Sequence, residues 1–427
     1  MTVVSAWKRS LGALDGSGDS LLPAACLLTW SLPAIVVIGR TPADVAISLV
    51  ALLFLARSAL IRDWQWLSTP WLRVALVLWL YLVAASAFAL DPGNAFGRAV
   101  PWVRYVLFAA AVQHWVLADR QRRHLMVWTA GIVLAFVAAD TMVQFAFGVD
   151  VFGLERPFPN RLSGPFRDAV VGTFLVKLIF PVLGAVLGWA VLAKSSSRTV
   201  LAIAVIVALA AVVFVTGERI PFLLFALGMC LLFSVLPGVR RLLFVAVVVA
   251  AIVVGGLAAS SPTVGNRMIH QTVGQMSDFW STAHGRIYAT AFEMWQRHPV
   301  FGVGLKNYRI ECPSPAYDRF GAEEIRCQFH PHNVYLEWLV EAGAIGFLGF
   351  LALIGFWGRE FARALSRAGL DRFVAVGAVT NVVLFLWPLM SSMSLFSNFN
   401  ATLFWFAVAW ALAATMPRPG RPEARPR

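Results

Sequence analysis

The chain has 427 residues, of which 59% are hydrophobic and 13% charged, and it carries a net charge of +13. Soluble domains run at about 45–50% apolar and about 25% charged residues, so a soluble globular fold is excluded. The Lys and Arg residues are scattered through short connections rather than gathered on one basic face, which argues against a nucleic-acid partner and leaves anionic lipid head groups or a phosphate-bearing substrate.

Runs of about 20 apolar residues recur along the chain and predict an all-α polytopic membrane protein. Residues 1–20 form a polar leader. The first apolar run behind it reads as a spanning helix rather than a cleaved signal. Twelve spans are predicted, at 21–39, 43–61, 71–90, 100–118, 125–148, 169–193, 199–216, 220–236, 242–260, 334–357, 373–393 and 399–416. Helices 1–9 thus occupy 21–260, a long connection occupies 261–333, and helices 10–12 occupy 334–416. The Arg- and Pro-rich stretch 417–427 reads as a disordered tail.

Basic residues orient this array. With the leader in the cytoplasm, every second connection is basic: Arg57 and Arg62, Arg120 to Arg123, Lys194 and Arg198, Arg240 and Arg241, and Arg359 to Arg372. The opposite short connections hold only Arg40, Arg98 and Arg219. An N-in, C-in topology follows. Two outer segments break the pattern. The 149–168 loop holds Arg156, Arg161 and Arg167, and the 261–333 connection holds seven Lys and Arg residues. Binding an anion accounts for such an excess. Within the long connection, 284–298 has the spacing of an amphipathic helix, with Ile287, Ala291, Met294 and Trp295 on one face and Pro299 as its stop.

The stretch from Cys327 to Gly349 joins a polar turn (His330, Pro331, His332, Asn333) to an apolar helix in which Gly343, Gly346 and Gly349 recur every third residue. Two readings of the turn are open. Asn333 can cap the helix, with the histidines decorating a wet loop. Alternatively, His332 is a general base: neighbouring positive charge disfavours imidazolium and keeps the ring neutral. The glycines suit close approach of helix backbones. Cys312 and Cys327 share the connection, and an extracytoplasmic setting permits a disulfide between them. Cys327 with His330, His332 and Glu323 or Glu324 is the competing metal reading, but C-x2-H-x-H matches no familiar zinc spacing. No metal and no cofactor are expected.

Arg161, Arg219 and Arg286 each lie near a glycine at the expected outer face. Singly, each reads as a residue that snorkels to the interface. Together around one histidine they suit a pyrophosphate, which guanidinium groups bind in bidentate fashion. Charges within the spans are Arg104, Asp140 and Lys177, with Glu337 and Glu341 near the start of the tenth. Asp140 and Lys177 are expected to form a buried pair; Lys177 can alternatively reach a lipid phosphate.

His332 and Asn333, followed by nine residues and then Gly343-x-x-Gly346, resemble the signature of the bacterial O-antigen ligases within the O-antigen ligase/polymerase superfamily. The twelve spans with one large, partly helical outer loop between the ninth and tenth resemble that architecture along essentially the whole chain. The G-E-R (Arg219), G-R (Arg286) and R-x-S-G-x-F (Arg161) sites look like the family's arginine positions. The resemblance implies a C-type, lipid-dependent, inverting glycosyltransferase of lipopolysaccharide biosynthesis. It would move a glycan from undecaprenyl pyrophosphate to a sugar of lipid A–core at the periplasmic face of the inner membrane. His332 would be the base, Arg161, Arg219 and Arg286 would hold the pyrophosphate, and His330, Asn333 and Lys177 would assist. The apolar spans would form a lateral groove for the polyprenyl chain.

O-antigen polymerases share that donor and are associated with R-x10-G, a spacing that Arg161 and Gly172 have. Protein O-oligosaccharyltransferases usually carry a larger soluble C-terminal region. A flippase for a lipid-linked sugar is the alternative from another class; it should show paired half-helices or inverted repeats, and neither is evident.

Overall fold

A computed structural model describes residues 18–416. The tail from 417 and all but the end of the leader lie outside the described residues. The described chain is helical: α1 (Leu22–Ile38), α2 (Arg40–Leu60), α3 (Pro70–Ala85), α4 (Pro92–Ala111), α5 (Arg120–Phe147), α6 (Ile179–Leu192), α7 (Ser196–Val215), α8 (Arg219–Val235), α9 (Arg240–Ser260), α10 (Ala283–Arg297), α11 (Val334–Ala362), α12 (Gly369–Phe385) and α13 (Asn398–Thr415). Among the described residues seven helices, α2, α3, α4, α5, α7, α9 and α11 with their flanking turns, are long and apolar enough to cross a membrane. The chain is a multi-pass α-helical membrane protein. Shorter apolar helices α1, α6 and α8 pack among them.

Helix boundaries follow local chemistry. Asp91 caps α4 by accepting from Asn94 N–H at 3.0 Å, and Asp119 caps α5 by accepting from Gln121 and Arg122 N–H. A helix apolar on all sides belongs in an interior, and α13 is such a helix: every residue from Phe399 to Thr415 is buried. Trp405 of α13 meets Trp102 of α4 and Trp357 of α11 edge to face at 5.4 and 5.6 Å, a geometry aromatic rings favour.

Three predicted spans are interrupted, each for a backbone reason. The 169–193 run divides into a short helix Val171–Val176 and α6, with Lys177 at the break. Pro181 lies four residues on and has no N–H to give the Lys177 carbonyl; Asn381 Nδ2 donates to that carbonyl instead. The 373–393 run stops being helical at Phe385. Trp387 precedes Pro388 and is biased away from helix, and 386–397 forms an irregular strap leading into α13.

The third break is in α11. Gly343 has φ 66°, a left-handed value that favours glycine. The chain from Pro299 to Gly304 crosses the helix here, and a side chain on Gly343 would collide with the Val300 carbonyl. The backbone groups freed by the break find partners. Ala344 N–H donates to Pro299 O at 2.8 Å, Val303 N–H to Val340 O at 2.9 Å and Gly304 N–H to Glu341 O at 3.1 Å. Tyr81 of α3 donates its hydroxyl to Ala342 O at 2.6 Å. Gly343 therefore serves the crossing segment rather than a helix–helix seam. Gly346 and Gly349 do face a helix, with Tyr81 and Leu78 of α3 as their respective neighbours across the seam.

The 261–333 connection carries a small core of its own. Ile287, Ala291 and Met294 of α10 pack with Val303, Tyr308, Cys312 and Tyr317, and against Val340 of α11. A disulfide joins Cys312 to Cys327, so Cys327 is not available as a metal ligand. Several arginines counted as surplus are used internally. Arg297 and Arg319 both pair with Glu293. Buried Arg326 donates to Asp318 Oδ1 at 2.7 Å, to Gly321 O at 3.0 Å and to Cys312 O.

Candidate active site

The polar turn before α11 is held from three sides. His332 has φ 57°, an uncommon conformation for a side-chain-bearing residue. Asn333 follows as the cap: its Oδ1 accepts from Tyr335 N–H at 3.0 Å and Leu336 N–H at 3.2 Å, and its Nδ2 donates to Pro388 O at 2.9 Å. The strap completes the clamp. Ser392 N–H donates to His332 O at 2.7 Å, and His330 Nε2 donates to Ser392 O at 3.0 Å. The His330 bond requires a proton on Nε2. Asn333 thus both caps the helix and ties it to the strap, while the His332 ring makes no hydrogen bond among the described residues.

Three imidazoles gather there. The His332 ring centroid is 4.2 Å from that of His330 and 5.4 Å from that of His284 on α10. His284 Nε2 lies 3.2 Å from Ser391 Oγ. Burial pushes the His332 pKa down to about 3, helped by the two neighbouring histidines. Burial, then Lys306, pushes His330 down to about 4. Burial and Arg219 lower His284. Neutrality of His332 is as the sequence predicted, but its leading cause is loss of water rather than arginine charge.

The cationic side is organised around the G-E-R turn between α7 and α8. Gly217 has φ 70°, and a side chain there would collide with the Asn160 carbonyl. This close approach lets Leu162 N–H donate to Thr216 O at 3.0 Å and places Arg161 beside the turn. Arg161 donates to Ala169 O at 2.8 Å, and its Nε is buried with no hydrogen-bond partner among the described residues. Arg267, in the helical turn after α9, donates its Nε–H to Gly217 O at 2.8 Å. Glu218 is held by the short helix before Lys177: its carboxylate accepts from Gly172 N–H at 2.6 Å and Thr173 Oγ1 at 2.8 Å. Gln144 of α5 anchors the loop itself by accepting from Ser163 and Gly164 N–H, both at 2.9 Å.

A cavity of about 310 Å³ brings these parts together. His332, His284, Arg161, Arg219, Arg267 and Lys177 all line it, with Glu218 as the carboxylate among them. The strap closes it through Ser391 and Ser392. Lys177 reaches it from the break before α6, where its ammonium bonds Asn400 Oδ1. Asp140 accepts instead from Val151 N–H at 2.9 Å, so the expected Asp140–Lys177 pair does not form. Arg286 is not among the lining residues; its guanidinium lies against Gly321. Chemically, the cavity brings basic side chains and a neutral imidazole into one lining.

Arg267, His284 and the serines of the strap were not singled out from sequence. The only signal for the serines was the polar run Ser391-Ser392-Met393-Ser394 inside an otherwise apolar stretch. Arg267 follows a span with no flanking motif.

A helical, multi-pass membrane protein with a cavity lined by histidines and basic side chains is the class these features define. Residues 183–351 match the family model described as O-antigen ligase, the family that the sequence motifs resemble. The matched region holds Arg219, Arg267, Arg286 and the His330–Asn333 turn; Arg161 and Lys177 fall before it. Function of the O-antigen ligase/polymerase type, with glycosyltransferase-like chemistry on lipid-linked glycans, is what this match indicates. No curated protein matches the chain.

Proposed function

We propose that this chain is an O-antigen ligase of the bacterial inner membrane. It crosses the membrane twelve times with both termini in the cytoplasm, and the 261–333 connection faces the periplasm. The disulfide in that connection supports an oxidising compartment. The donor is a glycan on undecaprenyl pyrophosphate, and the acceptor is a sugar hydroxyl of lipid A–core.

The observation that carries this reading is one cavity lined by a neutral imidazole and several cations. His332 takes the proton from the acceptor hydroxyl as its oxygen attacks the anomeric carbon, and the bond to pyrophosphate breaks. Arg161, Arg219 and Arg267 stabilise the charge that develops on the leaving group. Arg286, whose guanidinium packs against Gly321 outside the cavity lining, keeps a role in donor binding only through its place on the helix that brings His284 to the cavity. Metal is not needed, because the guanidinium groups already supply the positive charge. A low pKa makes His332 a weak base in the empty protein, but a bound pyrophosphate places negative charge nearby and raises its basicity for the task.

Polymerase activity is the second reading. Arg161 and Gly172 both lie at the cavity, Gly172 through its bond to Glu218. One experiment separates the two: purified protein with a lipid-linked glycan and either lipid A–core or a second lipid-linked glycan. Transfer to lipid A–core, with EDTA present, is expected. Elongation of the glycan without transfer to lipid A–core would replace ligase by polymerase.

A further inference from the structure

Below the histidine turn, α11 buries two carboxylates one helical turn apart. Glu337 and Glu341 are each about 1% exposed. Glu337 accepts from Leu395 N–H at 2.9 Å, and Glu341 accepts from Lys306 N–H at 2.8 Å. The second oxygen of each is buried without a hydrogen-bond partner among the described residues. Lys306 extends its ammonium to Ser394 Oγ at 2.6 Å. Ser394 Oγ in turn accepts from Phe396 N–H at 3.1 Å.

Such groups are expensive in a membrane interior, and apolar residues of similar volume would stabilise the helix better. What the trio does hold is the strap. Leu395 and Ser394 are fastened to it from below. From above, Ser392 binds the His332 carbonyl and the His330 ring, and Ser391 meets the His284 ring. The strap is therefore a tertiary link between the buried acids and the histidines, beside the direct one through the first turn of α11, where Glu337 N–H donates to Asn333 O at 2.8 Å. Being irregular, it has no helix of its own to keep its shape.

We propose that Glu337, supported by Glu341 and Lys306, is a positioning residue that sets the orientation of His332 through the 391–395 strap. The proposal rests on the reading of His332 as the base. Glu337 touches neither substrate, and its effect belongs to the rate of transfer rather than to donor binding. Its carboxylate oxygen is needed as an acceptor for Leu395 N–H, a role an amide oxygen can fill.

The test compares Glu337→Leu, Glu337→Gln and Ser394→Ala in the full-length protein in detergent. Three quantities are measured: single-turnover transfer, affinity for undecaprenyl pyrophosphate, and the rate at which diethyl pyrocarbonate modifies His332, read by peptide mass spectrometry. Glu337→Leu is expected to slow transfer by about tenfold or more and to speed His332 modification, with donor affinity within about twofold of the parent. Glu337→Gln is expected to restore both. Ser394→Ala cuts the Lys306 link outside any helix and is expected to move both quantities in the same direction, so the test survives misfolding of the leucine variant. Unchanged His332 modification in Glu337→Leu and Ser394→Ala would overturn the proposal, as would a glutamine variant as impaired as the leucine one. If the parent transfers no glycan yet the modification rates follow the expected order, the positioning stands and the function assigned to His332 fails.

Discussion

Arg267 donates its Nε–H to the carbonyl of Gly217 at 2.8 Å, joining the turn after α9 to the turn between α7 and α8. Arg267 thereby joins Arg161 and Arg219 in the lining of one cavity. Arg267→Ala is expected to weaken donor use by about ten- to a hundredfold, the range for a lost charge-assisted hydrogen bond. Lysine lacks the guanidinium fork, whose separate nitrogens can serve Gly217 and an anion at once, so Arg267→Lys should rescue only partly. Donor and acceptor KM, measured separately, check this; a larger effect on acceptor KM would reverse the assignment.

His332→Ala should abolish transfer, with a loss of about 10²- to 10⁴-fold expected for a missing general base. The variant should still insert and elute as the parent does, because the clamp on the turn uses the His332 carbonyl and not its ring. Retained activity would remove His332 from the mechanism.

Stability should depend on pH below neutrality. His332 and His330 are pushed down to about 3 and about 4 in the fold, while unfolded histidines titrate near 6.5. Between these values the unfolded chain binds more protons than the folded one. The stabilisation is therefore complete above about pH 6.5 and is lost as pH falls towards 4 and then 3. Thermal unfolding in detergent across that range should show the decline, and His330→Gln should flatten part of it.

The Cys312–Cys327 disulfide closes a short loop, with a sequence separation of 15. Closing a loop of that size contributes about 3 kcal/mol in the chain-entropy model. Cys312→Ser is expected to open the 308–328 region to proteolysis while the membrane helices stay protected. Limited digestion with mass mapping reads this directly; unchanged protection of 308–328 would show that Arg326 and the small core suffice.

Transfer should survive EDTA, since cations of the protein face the leaving group. Loss of activity in chelator, restored by zinc or magnesium, would overturn the metal-free chemistry.

Composition and the lengths of the apolar runs determined the class of this protein, because a chain so poor in charge cannot cover itself in water. The sequence alone also marked Asn333 as a helix cap, α10 as an amphipathic helix, and Arg161, Arg219 and His332 as candidates, since each of those signals is local. Tertiary structure decided the rest. Hydropathy read 373–393 as one span, yet Pro388 and the serines make a strap whose shape depends on Glu337 and Lys306, 50 to 90 residues away. Gly343 looked like part of a helix seam, but the crossing chain at Pro299–Gly304 determines its role. Arg286 and Arg267 are equally basic in sequence, and only packing turns one towards Gly321 and the other into the cavity. A site assembled from segments so far apart in the chain leaves little mark on any one of them, because what unites its residues is distance in space.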